Sequence, residues 1–146
     1  MIRRKYPEQP ILSAGAIVFK GSEVLLVKRG KEPAKGLWSI PGGVLHVGER
    51  ISEGLEREVL EETGIAIRFG GLVDIIERIF YDDDERVVYH YVILDYWAEF
   101  AGGTPAASLD VDDALFVPID KINTYRLTEG LGEVIHKART LRETAG

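Results

Sequence analysis

The 146-residue sequence contains no cysteine. Disulfides, thiolate metal sites, cysteine nucleophiles and cysteine-ligated iron-sulfur clusters are therefore excluded. No apolar run approaches the roughly 18 residues that a membrane-spanning helix requires, so no membrane partner is expected. Positive charge is also scarce. Eighteen Lys and Arg stand against 24 Asp and Glu, a formal net charge of −6, which argues against broad nucleic-acid binding through a basic surface. A phosphate-bearing partner needs a more local solution. The basic start, Met1-Ile2-Arg3-Arg4-Lys5, leads into no continuous apolar segment and does not read as a signal peptide. A cytoplasmic location is the expectation.

What is present is the composition of an ordinary globular protein, with 45% hydrophobic and 29% charged residues. The length suits one domain spanning residues 1–146, large enough to bury its own core. Ile11–Phe19 and Glu23–Arg29 flank Gly21-Ser22 and read as a β-hairpin. A short strand at Leu37–Ile40 stops at Pro41-Gly42-Gly43, a turn signal that also permits close backbone approach. Ser52–Thr63 reads as a helix ended by Gly64, with Gly54 an unfavourable residue in its first turn. Ile65–Phe80 and Val87–Phe100 form a long second hairpin around Asp82-Asp83-Asp84-Glu85, which lacks the length and glycine of an EF-hand and reads as a solvated tip. A loop near Gly102 to Asp113, a brief strand at Leu115–Val117 and a helical tail from Thr128 to Leu141 complete the chain. Interleaved strands and helices predict an α/β fold with a mixed sheet.

Chemistry concentrates between Gly43 and Ile65. Gly43 is followed after five residues by Glu49, and after seven more by Arg57-Glu58-Val59-Leu60-Glu61-Glu62-Thr63-Gly64-Ile65. On a helix, Glu58, Glu61 and Glu62 fall within an arc of about 100°, bordering the apolar edge of Ile51, Leu55 and Val59, while Glu53 and Glu56 fall on the far side. Leu60 breaks this pattern. Converging carboxylates repel and are costly beside a low-dielectric edge unless a cation joins them. Hard oxygen donors without His or Cys favour Mg²⁺, or Mn²⁺, over zinc, and Mg²⁺ readily accepts phosphate oxygens. Such a site suits hydrolysis of a pyrophosphate by activated water. The ordinary alternative, a glutamate-rich solvated face, accounts poorly for so many positions at fixed spacing.

These residues resemble the Nudix hydrolase family, whose signature is Gly, five residues, Glu, seven residues, Arg-Glu, apolar, any, Glu-Glu, any, Gly, apolar. Every fixed position is matched, and the flanking Val24–Arg29 and Leu37–Gly43 are also similar to the family. The resemblance implies an α/β/α sandwich around a mixed sheet, with the motif forming a loop-helix-loop. It implies Mg²⁺-dependent hydrolysis of a nucleoside diphosphate linked to another group, such as an ADP-ribose-like compound, a nucleoside triphosphate or a dinucleoside polyphosphate. Glu58, Glu61 and Glu62 would then be metal ligands, with the Gly43 carbonyl a further one. Arg57 and Glu49 would form an ion pair that orients the helix, and one carboxylate would take the proton of water. A small-molecule nucleotide is the expected partner, and a homodimer is compatible with the family.

Asp110, Asp112 and Asp113 are candidates for a further acid in the loop before the last strand, although a solvated acidic loop accounts equally for each. Arg29, at a strand end, is suited to a phosphate oxygen or simply to the surface. Trp38 lines the nucleotide side or packs in the core. His90 alternates with Val88, Val92 and Leu94 and reads as a core histidine. Arg50 stands where many members carry Ser or Thr, leaving Ser52 or Glu49 to cap the helix. Phe80 and Tyr81 lie where proline is frequent in members acting on ADP-ribose, and they select no substrate. A nucleotide-sensing module without catalysis is the alternative from another class, and the intact glutamate set speaks against it. The isomerase branch of the fold needs a cysteine that this chain lacks.

Overall fold

The computed structural model describes residues 3–145. Met1, Ile2 and Gly146, which the expected 1–146 boundaries include, lie outside the described residues. Ile11–Lys20 (β1) and Glu23–Arg29 (β2) form the expected hairpin, with Phe19 opposite Val24 and Lys20 opposite Glu23. Trp38–Ser39 (β3) pairs with β2. The expected stop at Pro41-Gly42-Gly43 is corrected, because Gly42–Val44 forms a strand (β4) antiparallel to Ser13–Gly15. A Cβ on Gly42 would lie 2.1 Å from the Ala14 carbonyl oxygen, so glycine lets two backbones meet here.

Ile51–Thr63 (α1) ends as expected at Gly64, whose φ of 77° suits the left-handed cap and whose N–H donates to the Leu60 carbonyl. Its start differs from expectation. Arg50 is the N-cap residue, and its N–H is taken by Glu53 Oε1 at 3.1 Å, so neither Ser52 nor Glu49 performs the capping. Ala66–Tyr81 (β5) and Val87–Gly102 (β6) form the long hairpin. At its tip, Asp82 accepts the Tyr6 hydroxyl and the N–H groups of Asp84 and Arg86, which explains the acidic turn without calcium.

The last strand, Val111–Pro118 (β7), is longer than expected and pairs with all of β2. Asp112 and Asp113 are therefore strand residues and not loop residues. A short 3₁₀ helix, Ile119–Thr124, precedes the final helix, Leu131–Ala145 (α2). The tail becomes helical later than Thr128 because Leu127 bridges to Trp38 and the Thr128 N–H donates to the Trp38 carbonyl at 2.9 Å.

The seven strands make one mixed sheet, with β6 parallel to β1 from Ile11 opposite Tyr91 to Phe19 opposite Glu99. Alternation along β1 sorts its side chains. Ala14, Ala16 and Val18 pack toward α1 with Leu55 and Val59, whereas Ile17 and Phe19 pack toward α2 with Val134, Ile135 and Ala138. This is the expected α/β/α sandwich. Leu55 and Val59 are fully buried, each worth about 1.5–3 kcal/mol relative to exposure, which fixes the rotation of α1 and hence the direction of its glutamates. His90 is only half-buried, contrary to the core reading, because the β5–β6 hairpin extends past the point where β1 pairing begins at Tyr91. No helix among the described residues is long and apolar enough to cross a membrane.

Candidate active site

Gly43 and α1 form the frame of the site. A Cβ on Gly43 would lie 2.4 Å from the Glu58 carboxyl carbon, so any side chain at this position would displace the carboxylate from its place against the strand. The next strand residue, Val44, is buried and pins β4 to the core.

Arg57 organises the acids around it. Its Nε and Nη2 donate to the two Glu49 carboxylate oxygens at 2.8 Å each, in a two-pronged pair. Its Nη1 reaches Glu58 Oε1 at 2.9 Å and Glu61 Oε2 at 3.3 Å. The Arg57 hydrogen bond, followed by one from the His46 N–H, holds the Glu49 carboxyl down to about 2. Glu49 and secondarily Glu58 raise the Arg57 pKa above its usual value. Glu49 and Arg57 thus form an ion pair. Gly54, unfavourable by helix propensity, also has a reason: its Cβ would lie 2.6 Å from Glu49 Oε1.

Glu62 behaves differently from Glu49. It accepts the Gly42 N–H at 3.1 Å, yet burial, with added repulsion from Glu58 and Asp110, pushes its carboxyl up to about 7. Arg29 offsets part of this from nearby, while its own Nε is engaged by the Pro33 carbonyl at 2.6 Å. Glu58, Glu61 and Glu62 open together with Ser108, Leu109 and Asp110 on one depression of about 240 Å³. Glu53, Glu56 and Leu60 are exposed on the other side of the helix. Leu60, anomalous on the wheel, is simply a solvated leucine at 54% exposure.

Of the three loop acids, Asp110 reaches the site, where it also pairs with Lys31 at 2.6 Å. Asp112 sits against Gly30, and Asp113 accepts the Ala114 N–H, so neither lines this depression. Trp38 packs edge-to-face on Tyr125 at 5.2 Å, at the border of the α2-side core. Ser108, Leu109 and Lys31 were not signalled by the sequence, since only chain folding carries them to the carboxylates. A larger depression of about 410 Å³ lies beside the turn at His46 and Val47, but Glu49 is its one acid.

Oxygen-only donors, with a desolvated Glu62 repelled by its acidic neighbours, fit a small hard divalent cation. Among the described residues, no three acidic or histidine side chains stand together as a formed metal-ligand group. Arg57 holds Glu58 and Glu61, so these acids are gathered at one opening with part of their bonding committed to a cation already in the chain.

The family model "NUDIX domain" matches residues 9–138. An ADP-ribose pyrophosphatase of Methanocaldococcus jannaschii is 30% identical over 113 residues, 77% of this chain and 64% of that protein. A putative mutator protein, MutT4, of Mycobacterium tuberculosis is 30% identical over 143 residues, 88% of this chain and 57% of its own length. The chain thus spans less than two thirds of these relatives. The crystal structure of a MutT NUDIX hydrolase from Burkholderia pseudomallei superposes with a TM-score of 0.75 at 27% identity, covering 89% of this chain and 98% of the other. Motif, sandwich and comparisons agree that the chain belongs to the Nudix family.

Proposed function

We propose that this chain is a Mg²⁺-dependent pyrophosphohydrolase, with Mn²⁺ as a substitute, that cleaves a nucleoside diphosphate linked to another group. ADP-ribose-like compounds are the first candidates, since the relative from M. jannaschii carries the name ADP-ribose pyrophosphatase. The observation that carries this reading is the opening of Glu58, Glu61, Glu62 and Asp110 on one depression beside Gly43.

In this reading Glu58, Glu61 and Glu62, with the Gly43 carbonyl, hold the cation. When bound, it supplies charge neutralisation for the diphosphate and acidifies water. The chain's own residues do the rest. The Glu49–Arg57 pair orients the helix that carries the three acids. Arg29, beside Glu62, meets a phosphate oxygen after exchanging its Pro33 contact. A carboxylate at the opening takes the proton from the attacking water, and Asp110 is the further acid of the site. The domain acts alone or as a homodimer, in the cytoplasm.

Product chromatography on a panel of nucleoside diphosphate derivatives, with and without Mg²⁺, tests the proposal. Metal-dependent release of a nucleoside monophosphate is expected. Nucleotide binding without any product would establish a sensing module in its place.

A further inference from the structure

One buried acid takes no part in the chemistry above. Asp95 lies on β6, is 5% exposed, and its Oδ1 has no hydrogen-bond partner. A buried carboxyl oxygen left without a donor costs roughly 1–3 kcal/mol or more, so its retention calls for a reason. No ion pair to Asp95 occurs among the described residues. The charged groups acting on it are Arg78, which favours its ionised form, and Asp74, which opposes it. Arg78 itself donates to the Glu129 carbonyl, and Asp74 is paired with Lys137 of α2 at 3.6 Å.

The surroundings of Asp95 lead back to the acids of α1. In register, Asp95 lies opposite Gly15 of β1, and Gly15 lies opposite Gly42 of β4. The row therefore crosses three adjacent strands, and two of its three members have no side chain. A Cβ on Gly15 would stand 2.6 Å from Asp95 Oδ1 and 3.0 Å from the Ile40 Cδ1 atom. The far end of the row is Gly42, whose N–H is held by Glu62 at 3.1 Å. Two interstrand spacings amount to about 10 Å. Asp95 thus stands about a nucleoside's length from the acids that would hold the diphosphate. Half-buried Trp38, Ile40, Ile76 and Trp97 border the same face, which gives a planar ring flat apolar partners.

We infer that Asp95 is a specificity-determining residue, which accepts a hydrogen bond from an amino group on the base of the bound nucleotide through its unpartnered Oδ1. The missing side chain at Gly15 is what leaves Oδ1 its place on this face, since a Cβ there would stand 2.6 Å from it. The inference rests on the nucleotide reading above and adds which end of the nucleotide is read and by which atom. Selection of this kind is strong because a base lacking the amine leaves the buried acid unpaired.

The test compares two probes, AMP and its analogue with hydrogen in place of the 6-amino group, by calorimetric binding to the full chain and to Asp95→Leu and Asp95→Asn. The corresponding pair of ADP-ribose compounds is compared by kcat/KM. The intact chain is expected to prefer the amino compound at least tenfold in both measurements. Asp95→Leu loses that preference, mainly through a rise in KM for the amino compound, while its Mn²⁺ affinity by paramagnetic resonance is unchanged. Asp95→Asn, which keeps an accepting oxygen and the shape, retains part of the preference and guards against a folding defect in the leucine variant. Equal affinity of the intact chain for both probes, no binding of either, or an unchanged preference in Asp95→Leu overturns the inference. Absence of turnover alongside selective AMP binding would instead count against the hydrolase reading and leave the role of Asp95 supported.

Discussion

Arg57 grips Glu49 from eight residues away with two parallel hydrogen bonds of 2.8 Å, and its remaining nitrogen arm touches Glu58. The turn that leads into α1 is thereby tied to the acid-bearing face of the same helix. Arg57→Lys keeps the charge and loses the fork. A fall of about 10- to 100-fold in kcat is expected from the misplacement of Glu58, with helix content by circular dichroism unchanged. A Glu49→Gln, Arg57→Lys double variant should cost little more than either single one, because both break the same pair.

The sorting of glutamates on α1 makes a contrast available within one helix. Glu58→Gln, Glu61→Gln and Glu62→Gln should each lower kcat by about 10²-fold or more in steady-state assays. Glu56→Gln, exposed on the far side, should stay within about twofold and within about 0.5 kcal/mol in stability.

Gly54→Ala is a test of what the glycine is for. Helix propensity alone favours alanine by about 1 kcal/mol. Its Cβ would meet Glu49 Oε1 at 2.6 Å and Leu45 Cδ2 at 2.9 Å, so the substitution is expected to lower both Tm and kcat. Differential scanning calorimetry with a parallel assay reads both.

Asp95 predicts a pH dependence of stability. Burial, the largest cause, pushes its carboxyl up to about 7 from an ordinary 3.8. The folded chain then binds more protons than the unfolded one between about pH 4 and 7, so this group lowers stability as pH rises through that window. The penalty is complete above pH 7 and amounts to roughly 4 kcal/mol. Without metal or nucleotide, Asp95→Asn should melt close to the parent at pH 4 and several degrees higher at pH 8.

Much of this was readable in the sequence because it is local. The β1–β2 hairpin, the span of α1, its Gly64 cap and the arc of Glu58, Glu61 and Glu62 all depend on neighbours within a few residues. Features that failed to show depend on distant partners. Pro41-Gly42-Gly43 looks like a turn until Ala14 comes within reach of Gly43, and Thr128 looks helical until Trp38 takes its N–H. Asp110 is indistinguishable from Asp112 and Asp113 by composition, and the register of β7 on β2 is what separates them. Asp95 did carry a signal, as a lone acid in the run Val92-Ile93-Leu94-Asp95-Tyr96-Trp97, but its meaning required the glycine opposite.

The parallel pairing of β1 with β6 sets the order in which the site can be built. The whole motif from Gly43 to Ile65 is synthesised before Tyr91, the partner of Ile11 on β6, is made. Until then β1 lacks the neighbour on its far edge, and β4, which hangs on β1, has no rigid support. Joining segments about 80 residues apart puts this chain among slower-folding topologies. The acid-bearing helix α1 is therefore complete in sequence long before it is held in place, and a fragment ending near residue 65 would carry every signature residue without the strand that anchors them.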